Sequence, residues 1–272
     1  MEYTGYRVLS DPQDVANFYE ERYSTEGINE NEYVIIKGEG NNLDFYCLHN
    51  GKFESVGYPQ FYHQIEGDIK PRNPQQRCAM DLLLNPESKI KLLRGVYGSG
   101  KDYLMRYAAI NLIERGKFNK IIFVRPHITV AGLPDIGALP GTAEEKLEWC
   151  LGPFYDMTGG REETERMIAE DSLEVVPMHF LRGRSFTNSI IYVTEGQNMT
   201  TEMVKLLIGR VGEGSELWIN GDSHQVDKKL FEDDNGIMKM LDKLSGNPLF
   251  GYVYLPTTER SEVARLADLL DD

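Results

Sequence analysis

From residue 74 onward, short apolar runs alternate with stretches of helical character, and few architectures accommodate that order. A helix is predicted from Pro74 to Leu84, followed by the strand "IKLL" and by a helix from Lys101 to about Arg115, with apolar Leu104, Ala108, Ile110 and Leu112. The strand "KIIFVRP" comes next, and later strands are "LEVVP", "SIIYVTE", "ELWING" and "GYVYLP". Helical segments near 142–157, 200–209, 236–244 and 261–270 separate them. Short apolar strands that alternate with helices predict an α/β fold, a mostly parallel sheet covered on both faces. Segment 127–141, rich in Gly and Pro, reads as one functional loop.

Residues 1–70 follow a different grammar. Asp11 and Pro12 cap and start a helix through "QDVANFYEERY", and "EYVIIKG", "LDFYCLH" and "KFESVGY" read as three short strands joined by Gly/Asn turns. The polar stretch "EGDIKPRNPQQ", with two prolines, sets the expected boundary near residue 70. The expected organisation is a small N-terminal α+β module (1–70) and a larger domain (71–272).

Composition narrows the function. With 41% hydrophobic residues among 272, the chain can fill a core. No run approaches the roughly 18 apolar residues of a membrane span, and "MEYTGYRVLSDPQD" lacks the regions of a signal peptide. A cytoplasmic protein with no membrane partner is expected. Cys47, Cys78 and Cys150 lack metal-ligand spacing and read as reduced packing residues. A net charge of −14 repels nucleic acid at long range, so any such binding needs a local basic patch.

Residues 95–105, "GVYGSGKDYLM", meet the phosphate-loop pattern G-x-x-x-x-G-K-[S/T] at Gly95, Gly100 and Lys101. The segment follows an apolar strand and opens a helix, so its amide groups and the helix dipole face an anion. Gly98 and Gly100 let the backbone approach phosphate oxygens, and Lys101 brings a point charge to the outer phosphates. Tyr97, Ser99 and Tyr103 complete the segment expected to contact the ligand. Asp102 departs from the pattern, standing where a hydroxyl normally binds magnesium. A second element, "IIYVTEGQN", is an apolar strand ending in Thr194 and Glu195. Many nucleotide hydrolases carry two acidic residues there, one at magnesium and one as base for the attacking water. Here the base position is kept and the metal position is altered.

In these segments the chain resembles the PhoH-like ATPases, whose domain is RecA-like and related to superfamily 1 helicases. The resemblance covers about residues 68–270 and runs in order through "KPRNPQQRCAMDLLL", "GVYGSGKDYL", "VRPHITVAGLPDIGALPGTAEEKLEWCLGPFYD", "FLRGRS", "TEGQN", "IGRVGEGS", "NGDSHQVD", "DDNGIMKMLDKLSGNPLFG" and "ERSEVARLADLL". It implies a RecA-like P-loop fold, ATP and Mg2+ as cofactors, coupling to single-stranded RNA, and ring-like homo-oligomers. The N-terminal module resembles the linker that joins this domain to a PIN-type nuclease in longer relatives. Since that nuclease domain is not expected in this chain, neither is RNA cleavage.

The resemblance also implies roles. Gln76 looks like the glutamine that reads the adenine edge, and Gln225, with Asp222 in "GDSHQ", looks like the γ-phosphate sensor. His224 beside it reads as a loop residue. Arg125, Arg210 or Arg260 would stabilise charge on the transferring phosphoryl group. In "FLRGRS", Arg182 and Arg184 suit a nucleic-acid backbone and suit carboxylates of this acidic chain slightly better. In "WCLGPFYD", Trp149, Phe154 and Tyr155 fit the apolar face of a helix better than a base-stacking surface.

The two departures belong together. The family arrangement has a hydroxyl in the loop and an aspartate on the strand, whereas this chain has Asp102 in the loop and Thr194 on the strand. If both face one magnesium, the oxygen donors and local charge are conserved by exchange. The expected function is therefore a magnesium-dependent ATPase, with Glu195, Lys101, Gln225 and Arg260 as its catalytic groups and Asp102 with Thr194 at the metal. One rival is a non-hydrolysing nucleotide-binding or assembly module with a degenerate metal site. Another is a P-loop kinase for a small molecule, disfavoured because no acceptor pocket is evident.

Overall fold

The computed structural model describes residues 3–20, 26–38, 40, 42–63, 67–126, 155, 160–222, 231 and 233–259. Its larger sheet contains β7 (Ile90–Gly95), β8 (Lys120–Val124), β9 (Leu173–Val175), β10 (Ser189–Val193), β11 (Glu216–Asp222) and β12 (Phe250–Leu255). The spatial order is β12-β7-β11-β10-β8-β9, and every pairing is parallel. This is a RecA-like P-loop architecture.

Period-two geometry divides the strands' side chains between two cores. Ile121, Phe123, Tyr192 and Trp218 face one side, where they meet α2 (Pro74–Leu84) and α3 (Lys101–Glu114). Ile122, Ile191, Leu217 and Ile219 face the other, packed with Val204 and Leu207 of α5 (Thr201–Ile208) and Ile237 and Met240 of α6 (Gly236–Leu244). The start of α2 is written locally: Asn73 caps it by accepting from Gln76 N at 2.8 Å, and Pro74 occupies the first turn.

The N-terminal residues form a four-stranded sheet in the order β1-β2-β3-β4. These are β1 (Tyr6–Leu9), β2 (Tyr33–Lys37), β3 (Leu43–His49) and β4 (Lys52–Ser55), with α1 (Pro12–Glu20) between the first two. β1 pairs parallel with β2, which requires such a crossover. The sheet does not close a core by itself. Tyr33, Ile35, Phe45 and Cys47 share one apolar cluster with Cys78, Ala79 and Leu82 of α2. Hydrogen bonds reinforce this seam: Tyr33 Oη donates to Asp81 at 2.9 Å, and Asn31 donates to the carbonyls of Pro248 and Phe250 at 2.9 and 3.0 Å. Cys47 and Cys78 are buried free thiols that burial pushes up in pKa, as packing residues should be; Cys150 lies outside the described residues.

Sequence periodicity does not anticipate β1, the hairpin β5 (Phe61–His63)/β6 (Gly67–Ile69), or α4 (Arg161–Ala169). The strands have only three or four residues, too few for a period, and α4 buries only Thr164 and Met167. The helical segments expected near 142–157 and 261–270, and the loop expected at 127–141, lie outside the described residues, Tyr155 excepted.

At the end of the sheet where β7 and β11 begin, Lys91 is almost completely buried and bonds to Glu216 at 2.7 Å and to Leu83 O at 2.9 Å. Trp218 Nε1 donates to the same Glu216 oxygen at 2.8 Å. Burial pulls the ammonium down to about 8, with Glu216 opposing that shift. Lys91→Met should therefore cost about 3–5 kcal/mol, because it strands a buried carboxylate. Lys91→Met with Glu216→Gln should recover more than half of that loss, since the neutral amide still accepts from Trp218. Denaturant unfolding of the three proteins checks both expectations.

Candidate functional site

Parallel register brings the carboxyl ends of four strands together, the place where open α/β sheets bind ligands. Gly95, the last residue of β7, lies opposite Asp222 on β11 and Leu255 on β12. Arg125 and Thr194 follow directly after β8 and β10, which end opposite one another at Val124 and Val193. Around them opens a cavity of about 550 Å³ whose wall includes Lys101, Asp102, Thr194, Glu195 and Asp222.

The loop between β7 and α3 is shaped by contacts that only glycine permits. A Cβ on Gly95 would lie 2.5 Å from Leu255 O and 2.8 Å from Ser99 Oγ. Gly98 and Gly100 both take left-handed backbone, with φ of 73° and 84°. The first backbone bond of α3 runs from Leu104 N to Gly100 O at 2.9 Å, and no side chain caps the helix. The N–H groups of Lys101, Asp102 and Tyr103 thus have no acceptor within the helix and carry its positive dipole end. Residues after β12 brace the loop from outside: Glu259 N donates to Gly98 O at 2.9 Å, and Thr258 Oγ1 donates to Tyr97 O. Arg72 and Asn73 in turn bond to Glu259.

Lys101 Nζ lies over the loop, 3.1 Å from each of Gly95 O and Val96 O and 3.2 Å from Asp222 Oδ2. Asp222 N donates to Gln197 Oε1 at 2.9 Å, and Gln197 Nε2 donates to Glu195 Oε2 at 2.7 Å. One polar chain therefore links Lys101 to Glu195 across the cavity. Glu195 itself has left-handed backbone, with φ of 56°, a conformation that costs a side-chain-bearing residue about 1–3 kcal/mol. Gly196 follows because a Cβ there would come within 2.6 Å of Ile219 and 2.8 Å of Asn220 O.

Asp102 is held from the sheet. Tyr192 on β10 and Asn220 on β11 point to the α3 side, and both donate to Asp102 Oδ1, the amide at 2.9 Å. Burial, and then the Asp102 carboxylate, push the Tyr192 hydroxyl well up, so it remains a donor. Thr194 is buried in the same cavity wall, with its amide bonded to Val124 O at 3.3 Å. The two altered positions thus share one cavity. A magnesium ion fits this donor set, since it takes one or two protein oxygens and keeps several waters.

Gln76 also belongs to the wall, with its amide spanning the loop's base: Nε2 donates to Ser99 O at 3.0 Å and Oε1 accepts from Arg72 N at 2.8 Å. Tyr97 and Tyr103, 47% and 37% exposed, line the cavity, as does Arg125 just after β8. Arg184 makes a two-pronged pair with Glu174 at 2.7 and 3.1 Å, the carboxylate partnership expected for "FLRGRS". Arg210 donates to Arg184 O at 2.9 Å, away from the cavity wall. Tyr155 carries the Arg161 guanidinium 5.6 Å above its ring. Gln225, His224, Arg260, Trp149 and Phe154 lie outside the described residues.

Sequence reasoning missed Gln197, Tyr192, Asn220 and Arg106, all on the cavity wall or bonded to it. Polar residues inside apolar strands and an arginine amid the apolar positions of α3 were the available signals. What they touch depends on strand neighbours far apart in sequence.

The glycine loop between a parallel strand and an uncapped helix, with Lys101 across from Asp222, defines the P-loop class. Residues 68–267 match the family model described as PhoH-like protein, and the chain belongs to that family, one of P-loop ATP-binding proteins. It is 36% identical over 212 residues to Protein PhoH2 of Bacillus subtilis, covering 74% of this chain and 48% of that protein. Protein PhoH2 of Thermobispora bispora is 32% identical over 209 residues, covering 75% of this chain and 48% of the relative. A PhoH-like protein of Bacillus subtilis is 34% identical over 136 residues, covering 49% and 42%. The chain thus spans about half the length of the curated relatives that it matches. No helix among the described residues is long and apolar enough to cross a membrane.

Asp102→Ala removes the shared acceptor of two buried donors and should lower unfolding stability by about 1–3 kcal/mol. Adding Tyr192→Phe to that variant should cost less than the same change in the starting protein, because the hydroxyl has already lost its partner. A thermal or denaturant double-mutant cycle reads the difference.

Proposed function

We propose that the chain binds ATP in this cavity and hydrolyses it with Glu195 as the group that orients and deprotonates water. The observation that carries the reading is the polar chain from Lys101 through Asp222 and Gln197 to Glu195, which joins a phosphate-binding cation to a carboxylate across one cavity. The open N–H groups of α3 and Lys101 would hold the phosphates. Gln76 keeps one N–H and one lone pair after its two bonds, which is what an adenine edge takes. Gly95, Gly98, Ser99 and Gly100 set the loop's backbone, while Tyr97 and Tyr103 flank its mouth. Gln197 fixes one Glu195 oxygen and leaves the other for water.

Asp102 and Thr194 would hold magnesium, whose positive charge offsets that of the phosphates. Gln225 and Arg260 would sense and stabilise the outer phosphate, with Arg125 at the cavity wall. Coupling to single-stranded RNA and a ring-like homo-oligomer enter this reading from the family resemblance. A cytoplasmic setting, and the division into an N-terminal module (1–70) and an ATPase domain (71–272), enter it from the sequence patterns.

A second reading has its own observation. The Asp102 carboxylate is anchored by Tyr192 and Asn220, and Thr194 brings no charge to the strand end. This favours a module that binds nucleotide without turnover.

Lys101→Ala should weaken ATP binding by about tenfold or more, measured by calorimetry. Glu195→Gln should keep ATP affinity and abolish phosphate release. Phosphate release by the starting protein, with and without magnesium and single-stranded RNA, separates the readings. ATP binding without release under every condition selects the non-hydrolysing module, and no ATP binding removes both.

A further inference from the structure

Arg106 lies one helical turn beyond Asp102 on α3 and lines the same cavity. It is 5% exposed, yet its Nε and Nη1 have no hydrogen-bond partner. Each of the two donor edges of the guanidinium therefore has an open N–H. The group is held by ring faces instead, 4.7 Å from the centroid of Tyr107 and 5.8 Å from that of Tyr103. Such stacking positions a guanidinium without using its donors.

Charge balance among the described residues does not account for it. Asp102, the nearby carboxylate on the same helix, has Oδ1 occupied by Tyr192 and Asn220, and no ion pair among the described residues joins it to Arg106. Other cations of the wall are engaged: Lys101 with Asp222, Arg72 with Glu259 O, and Lys70 with Asp68. A buried guanidinium with open N–H groups is costly unless an acceptor completes them.

We propose that Arg106 is an anion-binding residue of the cavity and takes the terminal phosphate of a nucleoside triphosphate, a role that rests on the nucleotide reading above. Helical side chains lean toward the helix N-terminus, so Arg106 reaches back toward the turn that carries Lys101 and Asp102. Phe123, Arg125, Thr194 and Glu195 line the same cavity. The loop and Lys101 hold the phosphates nearest the helix start, and the last phosphate faces Glu195, within reach of the arginine fork. A guanidinium matches two phosphate oxygens at once, which a lysine does not. Arg106 thereby makes the cavity distinguish a triphosphate from a diphosphate.

The test compares ATP and ADP affinities, by calorimetry, for the full chain and for Arg106→Met and Arg106→Lys. Arg106→Met should weaken ATP by about tenfold or more and leave ADP within about threefold, and Arg106→Lys should fall between it and the starting protein. Without ligand, Arg106→Met should melt no lower than the starting protein, because it removes an unpaired buried charge. Equal losses for ATP and ADP, or unchanged affinities with a lowered melting temperature, would overturn the proposal and make Arg106 a structural residue. If Arg106→Met does not fold, ATP selectivity in Arg106→Lys equal to that of the starting protein overturns it as well. Should the starting protein bind neither nucleotide, the nucleotide reading falls first and this role with it; normal ATP binding with an unchanged Arg106→Met sinks this role alone.

Discussion

Strand β11 is buried along all seven of its residues, between the strand that enters the glycine loop and the strand that leads to Glu195. Its parallel register with both neighbours aligns Asp222 with Gly95 and brings Ile219 opposite Val193. Every polar contact across the cavity follows from that alignment. Lys101 meets Asp222 because the loop starts beside the strand end, and Gln197 reaches Asp222 N because the turn after β10 folds over the same edge. A one-residue slip in this pairing would turn Trp218, Asn220 and Asp222 to the opposite face and dissolve both networks.

Tension between charge and burial runs through the site. An acidic first-turn residue gains from the helix dipole, by about 0.3–1 kcal/mol, but stands where phosphate charge is expected. The fold gives Asp102 two neutral donors, Tyr192 and Asn220, so its negative charge is hydrogen-bonded within the sheet face. Arg106, one turn on, brings positive charge to the same wall. Asp102, Tyr192 and Asn220 are thus one hydrogen-bonded unit drawn from three elements.

The N-terminal sheet is tied to the larger one through a shared interior. Tyr33 and Phe45 pack into the cluster that contains α2, and the capped start of α2 carries Gln76 to the glycine loop. The Arg72, Asn73 and Glu259 contacts then brace the loop from the segment between the two sheets. Packing of the small sheet therefore bears on the position of α2 and, through Gln76, on the loop.

The sequence alone determined the elements whose physics is local. Apolar strands alternating with helices announced the parallel sheet, the helix starting at Pro74 announced α2, and the spacing of Gly95, Gly100 and Lys101 announced the loop, because helix starts, burial patterning and left-handed glycines act within a few residues. It also marked Asp102 and Thr194 as departures. Only the tertiary structure decided what those residues touch. Tyr192 and Asn220 carry no mark of their own in the strands until register and the two-residue period set them beneath the first turn of α3, and Arg106 is one residue amid the apolar positions of α3 until packing buries it with Nε and Nη1 open. Contacts between residues 90 or more positions apart depend on which strands become neighbours and which face each side chain takes, and the packing of the whole sheet sets both.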